Sequence, residues 1–144
     1  MRTNNMRRLS LQKGFTLLEI IVVVTIIAII GAIVAPNIID KFSGVQEDVA
    51  RTEIKRIKST LGFYKLENFN LPSTEQGLEA LVTKPSGSPE PSARWKKQLE
   101  TVPTDPWGNP YQYLNPGTHE DIDIYSYGPD GRKSDDDIGS WQLK

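Results

Sequence analysis

Cysteine is absent from this sequence of 144 residues and histidine occurs once, and both scarcities exclude kinds of chemistry. The absence of cysteine excludes a disulfide scaffold and any catalysis by a thiol. A single histidine gives poor support to a zinc centre or a Ser-His-Asp triad. That residue, His119, follows the turn-like run 116–118, and we interpret it as a solvated loop residue. A small domain without disulfides often needs another staple, for which a metal ion is the usual substitute.

A strong net charge is also lacking, since 17 lysines and arginines face 18 aspartates and glutamates. The balance is not uniform along the chain, because residues 1–14 contain arginine and lysine but no acid. Without that stretch the chain is mildly acidic. A mildly acidic chain does not predict a nucleic-acid partner.

One long apolar run stands out, because residues 20–35 contain no charge and only Thr25 is polar. A helix over residues 15–39 would be about 36 Å long, enough to cross a hydrocarbon core of about 30 Å. Basic residues precede the run and acids such as Asp40 follow it, so the positive-inside rule predicts a cytoplasmic N-terminus. The helical pattern continues beyond Pro36, so we expect the segment to be retained rather than removed as a secretory signal.

Two residues make this segment more than a simple anchor. Glu19 lies near its start, where an ionisable group costs a few kcal/mol unless it is paired or near the interface. Pro36 lacks a backbone donor and predicts a kink or loosening of the helix over residues 31–36. An ordinary kink and a functional hinge both remain open for Pro36.

The region after Pro36 has the pattern of an amphipathic helix, because apolar residues recur at intervals of three and four. This pattern predicts one long helix that ends near residues 68–70. The apolar positions are Phe42, Val45, Val49, Ala50, Ile54, Ile57, Leu61 and Tyr64. Ser73 and Gln76 resemble a capping box that would open a short helix to residue 81.

The C-terminal half has the signals of loops and short strands. Residues 84–92 are rich in proline, serine and glycine and predict a surface loop, followed by a short helix over 93–99. Residues 111–114 and 121–127 predict an antiparallel hairpin, and residues 138–143 predict a third strand. The expected class is therefore α+β.

Residues 13–19, which read Lys-Gly-Phe-Thr-Leu-Leu-Glu, lie between the basic leader and the apolar run. This string resembles the type III signal peptide of type IV pilins and pseudopilins. The resemblance implies that a membrane prepilin peptidase cuts after Gly14 and methylates the new N-terminal residue, Phe15. Glu19 would then lie about one turn from the Phe15 amine, and pairing would offset the burial of both charges. The alternative is that the Glu19 side chain only extends to the membrane–water interface and has no partner in the Phe15 amine.

Four further segments resemble the major pseudopilins of type II secretion systems. They are residues 71–81, 105–111, 123–131 and 136–141. The resemblance implies a pilin-like fold, in which one long helix packs on a small antiparallel sheet.

The same resemblance implies a calcium site in the loop between the last strands. The ligands carried over are Asp130, the acids Asp135, Asp136 and Asp137, and the backbone carbonyl of Tyr127. Calcium prefers six to eight oxygen ligands, so these residue types suit it. The alternative is an acidic loop that is merely solvated.

The predicted organisation is a cleaved leader (1–14), a transmembrane and filament-core helix (15–39) and a periplasmic globular domain (40–144). The resemblance implies a structural role rather than a catalytic one. The chain would be a subunit that is first held in the inner membrane and then assembles into a periplasmic filament, which drives protein secretion across the outer membrane. Implied partners are further copies, minor pseudopilins, the prepilin peptidase, the assembly platform, the outer-membrane secretin and membrane lipid.

Three alternatives to that role stay open. The chain could be a subunit of a surface type IV pilus, or a monomeric membrane-anchored module that binds calcium. It could also be an anchored enzyme in which paired aspartates act as acid and base.

Overall fold

The computed structural model describes residues 14–143, and for residues 36–40 only the backbone. The first element is a helix of 52 residues, α1 (Leu17–Asn68). Thr16 caps its start, because Thr16 Oγ1 accepts a hydrogen bond from the backbone N–H of Glu19 at 3.2 Å. The helix ends where predicted: Phe69 has a φ of 65°, outside the helical region, and Leu71 and Pro72 follow.

Helix α1 continues through Pro36. The chain divides into two compact units at the boundary between Asp40 and Lys41. The first unit contributes residues 17–40 to α1 and the second unit contains the rest of the fold. The bend predicted at Pro36 stays a prediction.

The second unit has its core along one stripe of α1. The buried helix residues recur at intervals of four and three, the spacing of one helical face; they are Ala50, Ile54, Ile57, Leu61 and Tyr64. Against this stripe pack aromatic and aliphatic residues of the C-terminal half, namely Leu78, Ala80, Leu81, Tyr111, Tyr113, Ile122, Ile124 and Ile138. The sequence pattern therefore identified the packed face from Ala50 to Tyr64. It was wrong for three positions that it also included, since Phe42, Val45 and Val49 are more than half exposed.

A small antiparallel sheet forms the other layer. It contains β1 (Gln112–Leu114), β2 (Asp123–Ser126) and β3 (Ile138–Gly139) in that order. Strands β1 and β2 form the predicted hairpin, in which Tyr113 lies opposite Ile124. Strand β3 pairs with β2 through Ser126 and Ile138, so the acidic loop, residues 127–137, connects two paired strands. The α+β pilin-like prediction is confirmed.

The two short helices predicted from sequence are wrong in detail. The capping box is present, since Ser73 and Gln76 exchange hydrogen bonds of 3.0 and 3.2 Å, but it opens a turn. Gly77, with a φ of 58°, breaks that turn, and only a 3-10 helix, Leu78–Leu81, follows. Residues 93–99 are not helical because the amides of Gln98 and Leu99 donate to the carbonyl of Leu81.

The third predicted strand is shorter than expected. Pairing stops at Gly139, and residues 140–142 turn into a 3-10 helix. Gln142 stabilises this turn, because its Oε1 accepts from the amide of Gly139 at 3.3 Å and its Nε2 donates to the carbonyl of Asp137.

Candidate functional site

The predicted processing site lies directly before α1. Among the described residues, and leaving aside its chain neighbours, no atom lies within 4 Å of the position that a Cβ on Gly14 would take; Phe15 is 79% exposed. Glu19 is in the first turn of α1, where the positive end of the helix dipole favours a negative charge. Sequence reasoning missed the cap at Thr16, although the Thr-x-x-Glu spacing signals it. The leader residues 1–13 lie outside the described residues.

The apolar span that follows is uncovered. Residues Leu17–Ala35 form a 19-residue helical stretch with a mean hydropathy of 3.0 and no buried share. By length and composition it can cross a membrane. An exposed apolar surface of this size on a protein marks contact with lipid or with other protein.

The acidic loop starts with a tight turn and ends with the three consecutive aspartates. Gly128–Asp130 form a 3-10 turn, and Gly131, with a φ of 64°, takes the left-handed conformation that follows it. The loop's own donors engage its carboxylates. Asp130 Oδ1 accepts from the amide of Arg132 at 2.9 Å, and Asp137 Oδ1 accepts from the amide of Ser134 at 3.2 Å.

The three consecutive aspartates do not share one environment. Asp136 lies against the start of the loop: a Cβ added to Gly128 would be 3.1 Å from the Asp136 carbonyl oxygen and 3.2 Å from its Oδ2. Asp135 and Asp137 instead line a cavity of about 270 Å³, together with Asp123 and Trp141. Within residues 14–143, no three acidic or histidine side chains are arranged to hold a metal ion.

The donor chemistry of the loop nevertheless fits calcium. Every candidate ligand offers oxygen, as calcium requires and zinc does not. Gly128 leaves room for the Asp136 carboxylate beside the backbone that carries the Tyr127 carbonyl. The carboxylates also act on the neighbouring Tyr125, where burial first, then Tyr127 and the negative charges of Asp137 and Asp123, raise the pKa of Tyr125 to about 12.

A second cluster beside the loop was not found from the sequence. The side chain of Asp123 is 1% exposed, and its carboxylate accepts from Thr118 N at 2.7 Å, from Thr118 Oγ1 at 2.8 Å, and from the amides of His119 and Glu120 at 3.0 Å. His119 Nδ1 also donates to Asp123 Oδ2 at 3.0 Å. Burial alone would raise the pKa of Asp123, but the hydrogen bonds from His119 and Thr118 outweigh it and hold that pKa well below its usual range.

His119 is therefore more ordered than a solvated loop residue. Its side chain is 49% exposed, but its ring stacks on Trp141 with centroids 3.8 Å apart and planes 11° apart. The interpretation as a solvated loop residue is therefore incomplete, because the ring is partly exposed but contacts both Asp123 and Trp141. The only local signal was Thr118 and Asp123, residue types that bond nearby backbone groups in turns.

Comparisons with known proteins agree with both sequence resemblances. The family model described as type II secretion system protein G matches residues 37–141, and the prokaryotic N-terminal methylation motif matches residues 9–35. The type II secretion system core protein G of Pseudomonas aeruginosa is 51% identical over 136 residues, which cover 90% of this chain and 95% of that protein. Its namesake in Vibrio cholerae is 42% identical over 144 residues, covering 96% and 98%.

A solved structure gives the same answer for the fold. The crystal structure of the major pseudopilin from the type 2 secretion system of enterohaemorrhagic Escherichia coli matches with a TM-score of 0.68 and 43% identity. The match covers 75% of this chain and 96% of that one. Because the family model spans most of the chain and the relatives are similar over nearly their whole length, this chain belongs to the type II secretion system protein G family.

Proposed function

We propose that this chain is the major pseudopilin of a type II secretion system, a structural subunit of a periplasmic filament. The observation that carries the proposal is the uncovered apolar span, Leu17–Ala35, on a chain of the protein G family. Growth of the filament would drive folded proteins through the outer-membrane secretin. The protein G match over residues 37–141 favours this role over that of a surface pilus subunit.

The N-terminal segment supports processing by a prepilin peptidase. Cleavage after Gly14 would release the basic leader and leave Phe15 as the methylated N-terminus. Gly14 presents no side chain to a peptidase and Phe15 is exposed, so the backbone between them is accessible. The match to the methylation motif over residues 9–35 is consistent with this chemistry.

Before assembly, the subunit would be a single-pass protein of the inner membrane. The basic leader would stay in the cytoplasm, and the unit from Lys41 onward would lie in the periplasm. An assembly platform would then extract the subunit and add it to the filament. Extraction is plausible energetically only if other apolar helices replace the lipid around Leu17–Ala35, because that surface cannot face water.

We propose that other copies of the chain pack against the exposed apolar residues of α1 that follow the apolar span. Phe42, Val45, Val49, Phe63 and Leu66 are all more than half exposed. Their spacing places them on a helical face distinct from the buried stripe. Copies of one chain that present the same face repeatedly can stack into a filament with minor pseudopilins at its end.

Two residues of the span are proposed to act in assembly. Glu19 would pair with the amine of Phe15, because a charged pair is less costly in an apolar surrounding than either charge alone. Pro36 interrupts the backbone donors of α1 without ending the helix, and we propose that it lets the helix bend during extraction.

Calcium is the proposed ion of the acidic loop. Asp130, Asp135, Asp136 and Asp137 would supply carboxylate oxygens, and Tyr127 a backbone carbonyl. Bound calcium would cancel the repulsion among the carboxylates and tie the two ends of the loop together. The proposed calcium ion has no catalytic role, since the role proposed for the chain is structural.

The experiment that tests the filament function uses cells that contain the secretion system and lack this chain. Restoring the full-length protein should restore secretion and yield periplasmic filaments that contain the processed form. A Leu66→Asp variant should insert in the membrane and be processed yet form few filaments, whereas Leu66→Met should behave as wild type. Normal secretion without any filament of this chain would contradict the proposed role.

A further inference from the structure

The backbone of the acidic loop is connected by hydrogen bonds to a turn that no predicted role uses. This turn, residues 105–109, is closed by a hydrogen bond from the amide of Asp105 to the carbonyl of Asn109 at 2.8 Å. Asp105 is 4% exposed, and its Oδ1 accepts from the amides of Trp107 and Asn109 at 3.1 and 2.8 Å. Asp105 Oδ1 therefore stabilises the turn, and Asp105 Oδ2 is available for a hydrogen bond outside the turn.

That second oxygen begins a short relay to the loop. Ser126 is fully buried at the end of β2, and its Oγ donates to Asp105 Oδ2 at 2.5 Å. The amide of Gly128 donates to the same Oγ at 3.0 Å. A carboxylate can only accept, so the hydroxyl hydrogen goes to Asp105 and a lone pair remains for Gly128. The donor and the acceptor of each hydrogen bond in the relay are therefore fixed.

The relay sets the direction of a proposed calcium ligand. The amide N–H of Gly128 and the carbonyl of Tyr127 belong to the same peptide unit, which is planar and trans. Fixing the N–H toward Ser126 therefore fixes the Tyr127 carbonyl in the opposite direction.

We infer that Asp105 and Ser126 are positioning residues for calcium: they hold the Tyr127–Gly128 peptide so that the Tyr127 carbonyl is oriented before the ion arrives. This inference rests on the proposed calcium site in the acidic loop. A ligand that is already oriented loses less conformational freedom on binding, so the relay acts on affinity. Ser126 acts through the peptide unit, since its Oγ donates to Asp105 and accepts from the amide of Gly128.

The test measures calcium binding to the full-length protein in detergent by isothermal titration. Ser126→Ala removes the acceptor for Gly128, and we expect a calcium dissociation constant roughly three- to tenfold higher, the equivalent of one net hydrogen bond. The matched control is Ser140→Ala, because Ser140 is also buried and its Oγ also accepts a backbone amide, that of Ile124 at 3.3 Å. The control should bind calcium as wild type does.

A second measurement separates positioning from general loss of stability. Both serine variants should lower the melting temperature in chelator, but only Ser126→Ala should also weaken calcium binding and speed hydrogen exchange at the Gly128 amide. Wild-type affinity in Ser126→Ala would overturn the inference. If wild type itself binds no calcium, the calcium site fails first and the positioning role fails with it.

A second variant covers the case in which Ser126→Ala does not fold. Ser126→Cys keeps the shape of the side chain with a larger atom that is a weaker acceptor, and the chain has no other cysteine. It should give a smaller increase of the calcium dissociation constant in the same direction. An unchanged constant in this folded variant would also overturn the inference.

Discussion

Replacing Asp123 with asparagine tests how much the buried carboxylate beside the acidic loop stabilises the second unit. The asparagine side chain keeps the shape of aspartate and one acceptor oxygen. Its NH₂ group replaces the other carboxylate oxygen and cannot accept the hydrogen bonds that this oxygen accepts. Oδ2 accepts from the amide and hydroxyl of Thr118 and from His119, and Oδ1 accepts from the amide of Glu120 at 3.0 Å. With the amide oxygen kept on the Thr118 side, at least the hydrogen bond from the amide of Glu120 is lost.

The size of the effect follows from hydrogen bonds to a charged acceptor. Each contributes about 1.5–3 kcal/mol to stability, so Asp123→Asn should lower the free energy of unfolding by about 2 kcal/mol. For a domain of this size, a loss of 1 kcal/mol lowers the melting temperature by about 4–8 °C, which gives a decrease of roughly 10 °C. The control is Asp121→Asn, because Asp121 is an exposed neighbour. It should melt within about a degree of wild type.

The pH dependence gives the same experiment a second readout. The folded-state pKa of Asp123 is lowered, so its contribution to stability is complete above the ordinary carboxyl pKa of about 4 and is lost as the pH falls toward the folded pKa. Wild type should therefore lose melting temperature below about pH 4 more steeply than Asp123→Asn. Equal melting temperatures at pH 7 and parallel acid slopes would refute the assigned role of this carboxylate.

Three other predictions address processing, assembly and the metal. Gly14→Trp should leave an uncut precursor in the membrane while Gly14→Ala is cut at least in part; mass spectrometry of filament protein that still begins at Met1 would contradict cleavage at this site. Glu19→Ala should insert and fold but form few filaments in electron micrographs, with Glu19→Asp as the control, and wild-type filament yield would indicate that Glu19 only reaches the interface. Chelator should lower the melting temperature of the full-length protein, since calcium at a hundredfold excess over its dissociation constant adds about 2.7 kcal/mol. Asp130→Ala should lower it similarly and abolish the chelator effect, and coincident wild-type melting curves with calcium and with chelator would leave the acidic loop as a solvated surface.

The secondary structure predicted from sequence was correct where one continuous pattern decides it. The apolar pattern of α1 repeats over many turns, so the helix and its buried positions from Ala50 to Tyr64 could be predicted from spacing. Spacing did not show that Phe42, Val45 and Val49 of the same pattern stay exposed. The short helix expected over 93–99 failed for the opposite reason. Its amides bond to the carbonyl of Leu81, a residue outside the window that local propensity can weigh. Tertiary hydrogen bonds therefore override weak local preference in segments of a few residues.

The candidate site divides in the same way. Residues 13–19 and the apolar run are consecutive in the chain, so their chemistry could be interpreted without a fold, and the family models match there. The acidic residues of the loop were also visible as composition. Which of them lie together was not, because Asp136 turns toward Gly128 while Asp135 and Asp137 line the neighbouring cavity.

The sequence by itself determined the basic leader, the membrane-length apolar segment, the amphipathic helix and the family, because each depends on residues that are close along the chain. Only the tertiary structure decided the contacts of His119 with Trp141 and the relay from Asp105 through Ser126 to Gly128. The contacts of His119 with Trp141 and of Asp105 with Ser126 join residues that are far apart in sequence and meet only after the chain has folded. Hydrogen bonds act over about 3 Å, so their partners are set by the folded geometry rather than by local pattern.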